Sequence, residues 1–161
     1  MSHDVVIDAD GIRLPLPQRR IGEIVRAVLR AERSAPARVS VTFVSNGRIA
    51  SLNRRYLGHR GSTDVISFAL TPEQAKGPIS GDIYIAPDVA RRNAAAHGVS
   101  LREELTRLVV HGVLHVLGFD HPEGTSRAAS PMWKQQEQLV SRLSRRSVKA
   151  RSKRRNARPA A

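Results

Sequence analysis

Three histidines stand within eleven residues, in the segment His111-Gly112-Val113-Leu114-His115-Val116-Leu117-Gly118-Phe119-Asp120-His121. Neutral imidazole is a metal ligand, and two histidines four residues apart on a helix lie on one face, one above the other. Their rings can reach a common point, which is how paired helical histidines bind zinc. Gly118 lets the chain leave the helix and turn, so that His121 can swing back as a third ligand. Three histidine ligands with no obvious fourth protein ligand point to a catalytic ion, since structural zinc is closed by four protein donors. The competing reading is two core histidines bonded to carbonyls beside an unrelated loop histidine. That reading would win for a lone histidine and loses for three at this spacing. The chain contains no cysteine, so neither a thiolate site nor a disulfide framework is available.

The neighbours of these histidines sharpen the case. Leu105, Leu108, Val109, Val110, Val113, Leu114, Val116 and Leu117 make the helix apolar almost all round, which predicts a buried helix. Burying an unpartnered polar group is costly, so two imidazoles inside such a helix need a partner. The histidine spacing matches that of the metzincin proteases, which place a glutamate general base directly after the first histidine. Here that position is Gly112, which cannot move a proton, and this speaks against a peptidase. Gly112 is expected instead to let another backbone pack close to the helix. Asp120 is the nearest carboxylate, with two candidate roles: orienting a ligand imidazole from behind or handling a proton.

These residues must be positioned by a scaffold that the hydrophobic pattern outlines. Val5-Val6-Ile7 reads as a strand closed by the turn Asp8-Ala9-Asp10-Gly11. Ile21, Ile24, Val25, Val28 and Leu29 are spaced for a helix over 18–32, and 38–44 alternates as a half-buried strand. Ser45-Asn46 caps a helix carrying Ile49, Leu52 and Tyr56, followed by a basic loop from Gly58 to Ser62. Strands are predicted at 65–68 and 81–86, separated by a loop over 71–80. Pro87 suits the first turn of a helix that stops at Gly98. Ser100-Leu101-Arg102-Glu103 has the capping-box pattern and starts the histidine helix, which should run to Leu117. A last helix is predicted over 129–145, packing Trp133, Leu139, Val140 and Leu143. Strands and helices interspersed in this way imply a small mixed sheet packed by helices.

At 161 residues the chain suits one domain. Of its formal net charge of +13, nine positive charges fall in residues 142–161, which contain no acid, leaving +4 for the rest. The expected organisation is a single metallo-hydrolase domain over 1–141 and a basic, disordered tail over 142–161. Such a charge balance points to a polyanionic partner, against the alternative of a tail that only aids solubility. No stretch reaches the roughly 18 apolar residues of a membrane span, and the first ten residues lack the pattern of a secretory signal. Neither a membrane partner nor DNA is expected. Only 4% of residues are aromatic, most at core-like positions, so recognition of any nucleic acid is expected to rest on phosphate charge and shape over base stacking.

The segment His111-Gly112-x-Leu114-His115-x-Leu117-Gly118-x-Asp120-His121 resembles the metal motif of the YbeY family of bacterial metal-dependent endoribonucleases. Thr63-Asp64-Val65-Ile66-Ser67-Phe68 and Gly81-Asp82-Ile83 are similar to two strand motifs of that family in order and spacing. The resemblance spans 39–138. It implies an α+β fold with a mixed sheet of about four strands and a cleft over the metal. It implies one zinc ion per chain and a single-strand-specific endoribonuclease acting in small-subunit rRNA maturation and ribosome quality control. The implied setting is cytoplasmic, with rRNA and the small ribosomal subunit as partners. Two positions depart: the family usually has Arg after the tyrosine that ends the helix before the basic loop, and here Tyr56 is followed by Leu57; the Pro usual before the Thr of the first strand motif is Ser62. Arg54, Arg55 and Arg60 are the nearby cations available to hold RNA. The alternative is a non-catalytic ribosome-assembly factor that binds RNA and keeps a structural metal site, catalysis having gone with the arginine. A zinc hydrolase of another substrate is a third reading.

Overall fold

A computed structural model gives the fold and describes residues 2–70, 78–120 and 130–156. It is an α+β arrangement. Four strands, β1 (Asp4–Ala9), β2 (Ala37–Phe43), β3 (Val65–Leu70) and β4 (Ile79–Ile85), form one mixed sheet in the order β1-β2-β4-β3. β1, β2 and β4 run parallel, and β3 pairs antiparallel with β4 along the edge. The described residues include five helices: α1 (Gln18–Ala31), α2 (Asn46–Leu57), α3 (Pro87–His97), α4 (Leu101–Val116) and α5 (Pro131–Asn156).

The two-residue period of the strands divides the core. Val39, Val41 and Phe43 of β2 and Ile83 and Ile85 of β4 face α1 and α4. On the opposite face Ile66, with Phe68 and Tyr84 against it, packs with Ile49 and Leu52 of α2. α4 lies at the centre of the larger core, packed against the sheet, α1, α3 and α5, which is why it is apolar on nearly every side. Local signals fix its ends. The Ser100 hydroxyl accepts from the Glu103 N–H at 3.1 Å, and beyond Val116 the chain turns at Gly118 with φ of 95°. Ser45 likewise caps α2 by accepting from the Arg48 N–H at 3.2 Å.

Two glycines let α4 sit close to the sheet. A Cβ on Gly112 would come 2.7 Å from Ile83 Cγ2, and one on Gly81 would come 2.4 Å and 2.5 Å from the two γ carbons of Val116. The atom that approaches Gly112 is therefore a side chain of β4, not the backbone expected from the sequence. Here a branched residue of one element fills the hollow left by a glycine of the other.

The predicted elements recur with shifted edges, and three expectations are corrected. β4 begins at Ile79, inside the loop expected over 71–80; residues 71–77 lie outside the described residues. The boundary expected at 141 falls within α5, and Leu143 beyond it is 4% exposed in the core. The tail expected to be disordered continues α5 through Asn156. Lys and Arg are good helix formers, and no Gly or Pro interrupts 132–158; the composition read as disorder also permits a helix once the packed half of α5 has nucleated it.

Candidate metal centre

His111 and His115 sit one turn apart near the C-terminal end of α4. Their rings are 4.5 Å apart between centroids at 77°, and the two Nε2 atoms are 3.0 Å apart. Both side chains are half-buried rather than sealed in the core, as the apolar surroundings had suggested. The physical reason is that α4 shares its other faces with the sheet and three helices, while this end borders a cleft. His121 lies outside the described residues, and among the described residues no group of three or more His, Cys, Asp or Glu side chains could hold a metal ion. The structure thus brings two of the three expected ligands together.

The pair fits a metal on two grounds. Two nitrogens each about 2.0–2.1 Å from a tetrahedral zinc stand roughly 3.3 Å apart, close to the 3.0 Å observed. His111 Nδ1 lies 2.7 Å from Gln136 Oε1, which suits the tautomer with the proton on Nδ1 and the lone pair on Nε2, the atom that faces His115. Gln136 belongs to α5 and is 2% exposed. Sequence reasoning missed it, because nothing in the pattern of α5 tells which buried position faces the histidines.

A cleft of roughly 610 Å³ opens beside His111, lined among others by Asp64, Asn93, His97, Arg107 and Trp133. Trp133, expected in the core, is half-exposed on its wall. Asp64 receives a hydrogen bond from Asn93 at 3.3 Å. Arg107 spans the interior between three carboxylates: Glu137 at 3.0 Å, Glu104 at 3.3 Å and Glu103 at 3.5 Å. Its contact with Glu137 is bidentate, through Nε and Nη2, both at 3.0 Å. The hydrogen bond to Glu137, with the attraction of all three carboxylates, raises the Arg107 pKa above its ordinary value despite an opposing desolvation. The guanidinium therefore keeps its charge at any working pH.

The remaining expected residues scatter around this centre. Asp120 is exposed, two residues past Gly118. Arg54 and Arg60 line one shallow recess with Gly61, where the αL residue Gly58 (φ 68°) turns the chain out of α2. Arg55 points elsewhere, its guanidinium 5.5 Å above the Tyr56 ring. Tyr56, read as core-like, is 57% exposed, and Leu57, at the position where the family usually has arginine, is 47% exposed. Of the other histidines, His97 reaches the cleft, His59 is exposed in the basic loop, and His3 accepts from the Ala37 N–H at 3.2 Å.

The sequence model of a family described as Endoribonuclease YbeY matches residues 9–144. A Bacillus licheniformis protein named Endoribonuclease YbeY is 40% identical over 148 residues, covering 82% of this chain and 92% of its own. One of the same name from Geobacillus kaustophilus is 44% identical over 116 residues, covering 66% of this chain and 73% of its own. Among solved structures, the solution structure of a Thermotoga maritima protein superposes with a TM-score of 0.58 at 25% identity, covering 86% of this chain and 88% of that one.

Proposed function

The chain belongs to the Endoribonuclease YbeY family, and from that premise we propose that it is a zinc-dependent, single-strand-specific endoribonuclease acting in small-subunit rRNA maturation and ribosome quality control. The observation that carries the metal part of the reading is the His111–His115 pair, with converging Nε2 atoms and the Nδ1 of His111 engaged by Gln136. His111, His115 and His121 would hold one zinc ion per chain. When bound, the ion supplies Lewis-acid polarisation and charge neutralisation at a phosphodiester.

The chain's own groups do the rest. His111 is half-buried against α5 and borders the cleft, a space that RNA can enter. Asp120 serves either to orient a ligand imidazole or to carry a proton. Arg54 and Arg60 hold phosphates, and such contacts position the strand without reading its sequence. The setting proposed is the cytoplasm, with rRNA and the small ribosomal subunit as partners. Among the described residues no helix is long and apolar enough to cross a membrane. The catalytic domain is proposed to occupy the body of the chain, with the basic end of α5 as an accessory element.

Leu57 in the arginine position favours a second reading, an RNA-binding assembly factor without catalysis. One experiment separates the two: metal analysis of the purified protein beside cleavage of single-stranded RNA, with and without chelator, for the native chain and His115→Ala. The enzyme reading expects cleavage that chelator and His115→Ala abolish while RNA affinity persists. RNA binding without any cleavage by the zinc-loaded protein would establish the second reading.

A further inference from the structure

We infer that Gln136 is a positioning residue that sets the tautomer of His111 and so presents its Nε2 lone pair to the metal. The inference rests on the reading of His111 as a ligand. It follows from a chain of hydrogen bonds whose direction can be assigned from its far end. Arg107 can only donate, and it grips both oxygens of Glu137 at 3.0 Å. The Glu137 carboxylate, with both oxygens so engaged, accepts. Its Oε2 lies 3.2 Å from Gln136 Nε2, so the Gln136 amide turns its NH2 toward Glu137 and its carbonyl oxygen away from it. That oxygen is the atom 2.7 Å from His111 Nδ1. A bare Nδ1 at that distance would set two acceptors against each other, so Nδ1 carries the proton and donates.

The consequence falls on the other ring nitrogen. Free imidazole side chains in water favour the Nε2–H form, in which Nε2 cannot ligate. The order Arg107, Glu137, Gln136, His111 holds the opposite tautomer before any ion arrives. It also fixes the ring plane, with Nε2 directed at the His115 Nε2 3.0 Å away. Gln136 is 2% exposed, so water competes little for the bond. A hydrogen bond behind a ligand histidine also raises its basicity, and losing such a partner costs metal affinity. The arrangement makes α5 part of the metal site without giving it a ligand.

The test uses the full chain and three proteins: native, Gln136→Met, which keeps length and volume without an acceptor, and Gln136→Glu, which keeps an acceptor but loses the donor to Glu137. Zinc affinity is measured by competition with a chromophoric chelator. The tautomer of His111 is read in the metal-free protein from imidazole 15N resonances, and folding from circular dichroism and urea midpoints. Gln136→Met should bind zinc roughly 10–100-fold more weakly and shift His111 toward the Nε2–H form. Gln136→Glu should keep zinc affinity while its apo urea midpoint falls, separating positioning from packing. Native zinc affinity in the Met variant, or equal losses in both variants, would overturn the inference. If Gln136→Met does not fold, the native apo spectrum decides: an Nε2–H His111 overturns it and an Nδ1–H His111 supports it. A native chain that binds no zinc would refute the ligand reading itself, and the apo tautomer would still judge the Gln136 contact.

Discussion

Replacing Gly81 with alanine should destabilise the protein by lifting α4 off the sheet. Gly81 sits mid-strand, between Val39 of β2 and Ala69 of β3. A Cβ there would lie 2.4 Å and 2.5 Å from Val116 Cγ2 and Cγ1 and 3.0 Å from the Phe68 carbonyl oxygen. Carbon atoms in contact prefer about 3.5–4.0 Å, so the overlap is about 1 Å. Neither side can yield alone. A helical valine is held near one rotamer, and rotation exchanges one close methyl for the other. The Phe68 carbonyl belongs to the sheet backbone. Overpacking of this kind costs about 1–3 kcal/mol, against about 0.5–1 kcal/mol gained from replacing a strand glycine. The expected net loss is about 1–2 kcal/mol. Val116→Ala alone removes two buried methyl groups at about 0.8 kcal/mol each and adds a cavity term, for a loss of about 2 kcal/mol. In the double variant the new methyl enters the vacated space, so the losses should fall short of their sum by about 1–2 kcal/mol. Urea unfolding followed by circular dichroism measures all four corners of the cycle. Losses that add to within about 0.5 kcal/mol, or a Gly81→Ala variant more stable than the native chain, would refute the reasoning.

Other expectations follow from the same geometry. His111→Ala, His115→Ala and His121→Ala should each lose most of a single zinc equivalent by elemental analysis, with some loss of thermal stability because metal binding adds to folding free energy; stoichiometric zinc in the His111/His115 double variant would sink the ligand assignment. Arg54→Gln with Arg60→Gln should weaken RNA binding more than Arg55→Gln, since Arg54 and Arg60 share a recess while Arg55 is committed to Tyr56; fluorescence anisotropy at fixed salt would show equal effects if the recess plays no part. Truncation after Arg145, which keeps core residue Leu143, removes seven cations. If about half of them engage RNA at once, the log–log salt dependence should become shallower by about 2–3, at about 0.7 per phosphate for single strands; superimposable slopes would show that the arm is not an RNA-binding element.

Much of the scaffold was legible because its signals are local. Ser45 and Ser100 at helix starts, Pro87 at a first turn and Gly98 at a helix end each name a boundary through a single backbone requirement. The alternation of Val39, Val41 and Phe43 marks the inner face of a strand whatever lies beside it. The two helical histidines were legible for the same reason, since a four-residue spacing fixes their proximity before any tertiary contact forms. Gln136 was not. It meets His111 only because α5 packs against α4, and that register depends on Met132, Leu139, Val140 and Leu143 filling the core together. Trp133 and Tyr56 were misread as core residues because an aromatic at helical spacing looks the same whether its face is covered or borders a cleft. The helical course of 146–156 was hidden by its charge: composition speaks of solvation, and helix continuation is decided by the packed residues before it.

The close seat of α4 bears on chemistry as well as stability. A metal pair requires its nitrogens held to a fraction of an ångström, and side chains on a rigid helix meet that demand better than loop residues do. α4 is fixed from below by the Gly112–Ile83 and Gly81–Val116 contacts and from the side by α5, through the Arg107–Glu137 ion pair and the Gln136–His111 hydrogen bond. Gly112 lies between His111 and His115, the two proposed ligands, in sequence, and Val116 directly follows the second. A methyl group added below the helix should therefore act on the metal site even though it touches neither imidazole. This places the glycine where the metzincin spacing would have a glutamate in a different role: its missing side chain leaves the space on the helix that Ile83 of the sheet fills. Ile83→Val, which trims the atom that would lie 3.0 Å from a Cβ added at Gly112, should leave the pair aligned, whereas Gly112→Ala should separate α4 from β4 and weaken zinc binding in proportion.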